Sequence, residues 1–275
     1  MISRILVGVD GTRGAADALA LARGLASPES EILAVSVATL KTHTVERLDP
    51  LLRDAAREHA AEHLASAREQ QLGLEGEIVT AFDAATGLHR SAEVHVADLI
   101  VIGSCHRGPV GRILAGDDTL AILRGAPCPV AVAPRDFALG RTAIETVGLG
   151  WDASPDADHA LAFARGLAED LGAGIHAVAV VEASEGSATV AEIAAEVSVM
   201  SARALELDGV TAAIVTGVAS EQLDQLGAEV DVLVVGSRQR GALARIVLGS
   251  TSETLVRRSR RPVIVVPRVP QPAAV

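Results

Sequence analysis

The residues best suited to hold a ligand lie in one stretch, Gly236-Ser237-Arg238-Gln239-Arg240-Gly241 through Gly249-Ser250-Thr251. It follows the apolar run Val230 to Val235, which reads as a buried strand. It ends where a helix is expected to begin, because Ser250-Thr-Ser-Glu253 has capping-box spacing. The first amides of a helix have no internal partner, and the helix dipole makes that end positive. A glycine-hinged loop carrying Arg238 and Arg240, followed by a helix start with Gly249 and the two hydroxyls of Ser250 and Thr251, therefore describes a seat for a phosphate.

Three other constellations compete with it. His59-Ala-Ala-Glu62-His63 has a spacing used by one class of zinc peptidase, but no third ligand is evident, so the expected reading is the border of a helix face. Cys105 and His106 are adjacent, yet neighbours in an extended loop point apart and no carboxylate is placed to orient the imidazole. Gly148-Leu-Gly150-Trp-Asp152 fits a loose dinucleotide fingerprint, but Asp152 would face the pyrophosphate with a negative charge. A tight turn is the simpler expectation there.

Composition removes further classes. The 275-residue chain carries a net charge of −11, which argues against a nucleic-acid binder. The local cluster Arg257, Arg258, Arg260 and Arg261 sits where it can complement the end of a helix. Lys41 is the only lysine and tyrosine is absent, which excludes a P-loop and any Tyr-Lys mechanism. Two cysteines, Cys105 and Cys128, make no disulfide framework and are expected to be reduced thiols. The apolar start is cut short by Asp10, and no run approaches membrane-spanning length. The expected location is the cytoplasm, and no membrane or nucleic-acid partner is expected.

Elements that could position the loop alternate throughout. Apolar runs at Arg4 to Val9, Ile32 to Val37, Glu77 to Ala81, Asp98 to Gly103 and Pro129 to Pro134 read as strands, separated by helical patterns. Such alternation calls for a parallel sheet with helices on both faces. The series restarts at Thr146. Gly103 and Gly236 are offset by 133 (236 − 103), and Gly116 and Gly249, as well as Pro129 and Pro262, keep that offset. At the first strands, Asp10 and Asp152 differ by 142 (152 − 10), so the second copy is shorter, chiefly between its second and third strands. The chain accordingly divides into residues 1–138 and 139–275.

Both halves resemble universal stress protein domains, and together they resemble the tandem form of that family. The resemblance rests on an Asp after the first strand, a loop close to Gly-x2-Gly-x9-Gly-Ser/Thr after the fourth, and a Pro-Val-x-Val fifth strand. It implies two doubly wound α/β domains, each a five-stranded, mostly parallel sheet. Their fifth strands are expected to meet, making an intramolecular pseudo-dimer, and whole chains could pair again as a homodimer. It also implies ATP as ligand, with Mg2+ on its phosphates. In the second half, Gly150 and Asp152 would lie at the nucleoside and Val180 against adenine. Gly236, Ser237, Arg238, Arg240, Gly249, Ser250 and Thr251 would surround the phosphates.

Both copies depart from that pattern. Gln239 stands where the second glycine of the signature belongs, although Gly241 follows. In the first half Gly116 is followed by Asp117 and Asp118, and Asp117 is expected to cap the helix and take the amides a phosphate would use. ATP is therefore expected chiefly in the second domain, with the first binding it poorly or not at all. The function expected is regulatory and part of a stress response, read by a protein partner not identifiable from sequence, with no catalytic base or nucleophile. One alternative is a nucleotide-independent interaction or chaperone-like module. Another is a small-molecule hydrolase, which would depend on Cys105, His106 or His59.

Overall fold

The computed structural model describes residues 2–40, 50–104, 113, 116–140, 142–152, 154–182, 190–205, 207–237 and 248–267. The first lobe runs β1 (Arg4–Gly8), α1 (Arg13–Leu25), β2 (Glu31–Thr39), α2 (Pro50–Gln70), β3 (Glu75–Ala81), α3 (Ala84–His95), β4 (Leu99–Gly103), α4 (Asp117–Leu123) and β5 (Val130–Ala133). The second repeats it as β6 (Thr146–Gly150), α5 (Pro155–Leu171), β7 (Gly174–Val181), α6 (Val190–Ala204), β8 (Val210–Thr216), α7 (Ala219–Glu229), β9 (Val232–Gly236), α8 (Ser250–Arg258) and β10 (Val263–Val266). Helix α6 has 15 residues against 21 in α2, which is where the second copy lost length.

Within each lobe all strand pairs are parallel, in the order β3-β2-β1-β4-β5 and its counterpart β8-β7-β6-β9-β10. The two fifth strands pair antiparallel, with Val263 opposite Val132, Ile264 opposite Ala131 and Val265 opposite Val130. Ten strands thus form one continuous sheet. The pairing closes two edges that would otherwise expose open backbone groups.

The central strands are apolar on every residue because both faces are covered. Ile5 and Val7 of β1 join α1 and α2 on one side, in a core that crosses the seam to Leu149, Leu161 and Leu167. Leu6 faces the opposite way, into a second core shared by α3, α4, α7 and α8. Short alanines and glycines let the helices approach the sheet. A Cβ on Gly150 would stand 2.9 Å from Leu223 of α7, and one on Gly148 would stand 2.8 Å from Val230. The Gly-x-Gly pair is therefore a strand segment packed under side chains, and the tight turn expected from its sequence does not form there.

A 3-10 turn at Phe137–Leu139 joins the lobes. Asp17 of α1, almost wholly buried, accepts the amides of Asp136 and Ala138, both at 2.9 Å, and so holds this connection against the first lobe. Burial pushes its carboxyl above the ordinary range, with those two amides opposing the rise. At the start of each lobe's first strand an aspartate does similar work. Asp98 takes the amides of Ser3 and Arg4, and Asp231, at the 133 offset (231 − 98), takes those of Glu145 and Thr146. Burial would raise Asp231, but these amides, the Thr146 hydroxyl and Arg261 together hold it below the usual value.

Val96 ends α3 in the left-handed region (φ 51°, ψ 51°), where its amide reaches the carbonyls of Ala92 and Glu93. A β-branched residue is poorly suited to that conformation, and the side chain is 78% exposed, so little packing offsets the strain. Val96→Gly is expected to stabilise the chain by about 1 kcal/mol, a result that urea denaturation at constant m would register.

Candidate functional site

The second lobe holds an open cavity of about 390 Å³ beyond the carboxyl ends of β6, β7 and β9. This is where strand order reverses in a doubly wound sheet and ligands are expected. Gly150, Asp152, Val180, Gly236, Ser237, Gly249 and Thr251, all expected from sequence, line it together. Ser250 is the first residue of α8 but is not among the lining residues. Arg238 and Arg240 lie outside the described residues, as do Gln239 and the Cys105–His106 pair.

Asp152 is placed by a local turn. Its Oδ1 accepts the amide of Ser154 at 3.0 Å, and Ser154 in turn caps α5 by accepting the amide of Ala157. The first lobe repeats this with Asp10, which takes the Thr12 amide at 3.0 Å, while Thr12 caps α1. One oxygen of Asp152 is thereby committed and the exposed carboxylate still borders the cavity. Trp151 anchors the same turn from below. It is buried, donates its amide to Val178 at 3.0 Å, and contributes one wall.

At the other end, α8 starts at Ser250 with Gly249 in the cap position (φ −78°, ψ 164°) and no side chain capping it. The expected capping box is not formed. Ser250 is inside the helix, and Glu253 turns away to bind Arg257 at 2.9 Å and Arg124, the C-cap residue of α4, at 3.3 Å. The Arg257 hydrogen bond is the main cause of its lowered carboxyl pKa. Ser252 donates to the Gly236 carbonyl at 3.0 Å, tying the helix start to the end of β9. Ser237 is 3% exposed, and among the described residues its hydroxyl has no partner. A buried hydroxyl without a partner costs about 1–3 kcal/mol, so an acceptor oxygen entering here would be bound favourably. An uncapped helix start beside an unpartnered hydroxyl fits a phosphate oxygen.

Sequence reasoning missed several lining residues. Glu182, Glu196, Met200 and Leu223 come from the end of β7 and from α6 and α7. Leu223 was foreshadowed by the glycine pair in β6, since Gly in a strand marks close approach. Glu182 lies two residues beyond Val180, and that spacing along one extended stretch is the signal that could have found it.

The first lobe shares an uncapped glycine, Gly116, and a buried hydroxyl, Ser104, without a partner among the described residues at the matching place, and what sets it apart is the acidic pair that follows Gly116. Gly14, at the start of α1, sits directly on Gly103, where a Cβ would fall 2.1 Å from the Gly14 carbonyl oxygen. His63 of α2 lies against the Gly11 turn, 2.4 Å from where a Cβ would be. Asp117 does not cap α4 as expected: Gly116 holds the cap position, and Asp117 and Asp118 are the first helical residues. Negative charge in the first turn still complements the dipole and still repels a polyphosphate.

The remaining described candidates are His59, Glu62, His63 and Cys128. His59 and His63 stack edge to face at 4.4 Å, and His59 meets Glu62 at 3.3 Å. Burial, then the neighbouring His59, lowers the His63 pKa. Among the described residues no three metal-binding side chains converge. Cys128 is buried, and its thiol is pushed up to about 12 by that burial, which makes it a poor nucleophile. No described helix is long and apolar enough to cross a membrane.

Comparison with known proteins agrees with this architecture. The model of the universal stress protein family matches twice, over residues 1–134 and 143–267. Universal stress protein Rv2005c of Mycobacterium tuberculosis H37Rv is 32% identical over 213 residues, covering 72% of this chain and 70% of its own. Among solved structures, a universal stress protein from Archaeoglobus fulgidus DSM 4304 superposes with a TM-score of 0.69 at 23% identity, covering 96% of this chain and 97% of that one. A universal stress protein structure from Pseudomonas aeruginosa UCBPP-PA14 gives 0.64 at 17% identity, covering 97% and 94%.

Proposed function

The chain belongs to the universal stress protein family, and from that membership and the second-lobe cavity we propose that it is a regulatory protein that binds ATP in its second lobe alone. The observation that carries this reading is the polarity of the cavity. Asp152, which follows the middle strand β6, is placed to accept ribose hydroxyls, while the uncapped start of α8 and the Ser237 hydroxyl beside β9 are placed to meet phosphate oxygens. Val178 and Val180 of β7, on the far side of β6 from the phosphate end, supply apolar surface for a base. Gly150 forms part of the floor with Leu223 packed over it, and Mg2+ would arrive on the phosphates.

Binding without turnover is the role we assign. Neither a base nor an activated nucleophile lines the described cavity beside the phosphate end, where the polar side chains are hydroxyls. Occupancy would then set a conformation read by a protein partner during a stress response in the cytoplasm. The first lobe, with Asp117 and Asp118 at the start of α4, serves as a structural twin.

Calorimetric titration with ATP and magnesium is expected to give one equivalent per chain. Saturation at a hundred times Kd is expected to stabilise the fold by about 2.7 kcal/mol. Two equal sites would overturn the assignment of the first lobe. No binding and no thermal shift would overturn the nucleotide reading and leave the interaction-module reading in its place.

A further inference from the structure

Glu182 follows the last residue of β7 and lines the second-lobe cavity. Its Oε1 accepts the amide of Ala219 at 3.0 Å. Ala219 opens α7, and the cap position before it is Val218, which has no side chain to offer that helix. The carboxylate thus performs a cap from a distance. It is fixed in place by doing so, and Oε2 is the oxygen that this cap does not use.

The cavity has a direction. Its anion-accepting end is at β9 and the start of α8, and β7 is two strands away across β6. Neighbouring strands are about 4.8 Å apart, so the two ends are separated by roughly 10 Å. A nucleotide with its phosphates at Gly249 and Ser237 and its ribose at Asp152 would carry its base over Val180 and toward Glu182. A carboxylate oxygen accepts hydrogen bonds and donates none. One oxygen matches one donor, such as the exocyclic amino group of adenine. The paired N–H edge of guanine needs two oxygens, and one of these is engaged by Ala219.

We propose that Glu182 is the residue that sets base preference, its second carboxylate oxygen accepting the 6-amino group of adenine. This rests on the nucleotide reading given above and adds a specificity that the reading alone does not contain. The alternative is that Glu182 only caps α7, and the two differ in what they do to base preference.

The test is calorimetry on the full chain with adenosine diphosphate, purine riboside diphosphate, which lacks the amino group, and guanosine diphosphate. Wild-type protein is expected to favour the adenine compound by about tenfold or more over each of the others. Glu182→Gln keeps an acceptor for Ala219 while placing an amide NH2 toward the base, and is expected to bring the adenine to purine ratio to about one. A ratio unchanged in Glu182→Gln would overturn the proposal while the nucleotide reading stands. Should that variant fail to fold, wild-type protein alone decides: equal binding of all three diphosphates overturns the proposal. Binding of none of them overturns it together with the nucleotide reading.

Discussion

Replacing Gly249 with aspartate is expected to raise the melting temperature of the chain and at the same time to weaken nucleotide binding by about a hundredfold or more. Gly249 occupies the cap position of α8 in extended backbone (φ −78°, ψ 164°), a conformation that aspartate adopts freely, and it offers no side-chain acceptor. An aspartate there accepts an amide of the first turn, which contributes a few tenths of a kcal/mol over glycine, and complements the dipole, which adds roughly 0.3–1 kcal/mol. That carboxylate takes the place proposed for a phosphate oxygen and repels the rest of the anion. Losing the seat is expected to weaken ATP binding by about a hundredfold or more, since charge-assisted hydrogen bonds contribute roughly 1.5–3 kcal/mol each and repulsion adds to the loss. The two effects have opposite signs, so damage to the fold cannot imitate them. A variant that is more stable yet binds ATP as well as the wild type would show that α8 does not seat the phosphates.

The same helix marks how far local pattern reaches. Alternating apolar runs located the strands because a sheet covered on both faces is apolar at every residue, as in Leu99 to Ile102. The internal offset then placed Asp152 and Gly249 by analogy with Asp10 and Gly116, and the structure brings Asp152 and Gly249 to one cavity. Ser250 and Glu253 misled by one register because the capping-box spacing is satisfied equally well by residues inside the helix. Glu253 is held instead by Arg257 of its own helix and by Arg124, which lies 129 positions away (253 − 124) in the other lobe. Asp117 misled in the same way, with Gly116 taking the cap. Glu182 escaped notice because its role is tertiary: it caps a helix from the end of a strand 37 residues earlier. Spacing within one element carries no trace of such a contact.

The seam between the lobes gives the second large effect. Ile264 has no exposed surface, lies opposite Ala131 across the antiparallel junction and neighbours Val234 on its other side. It belongs to the core that also holds Leu21 and Leu99 of the first lobe and Leu149 and Leu161 of the second. Ile264→Ala leaves a void in a region close-packed from both lobes, and the expected cost is about 3–4 kcal/mol, against about 1 kcal/mol for Ile264→Val. The way in which stability is lost matters more than its size. Because one sheet and one core run through the junction, neither lobe can release Ile264 without exposing the other, so unfolding in urea is expected to be a single transition. Trp151, the only tryptophan, reports the second lobe, and far-ultraviolet circular dichroism reports both. The two probes are expected to coincide in the wild type and to shift together in Ile264→Ala. Two separate transitions, with only the tryptophan signal moving, would mean that the lobes are independent domains whose fifth strands merely touch.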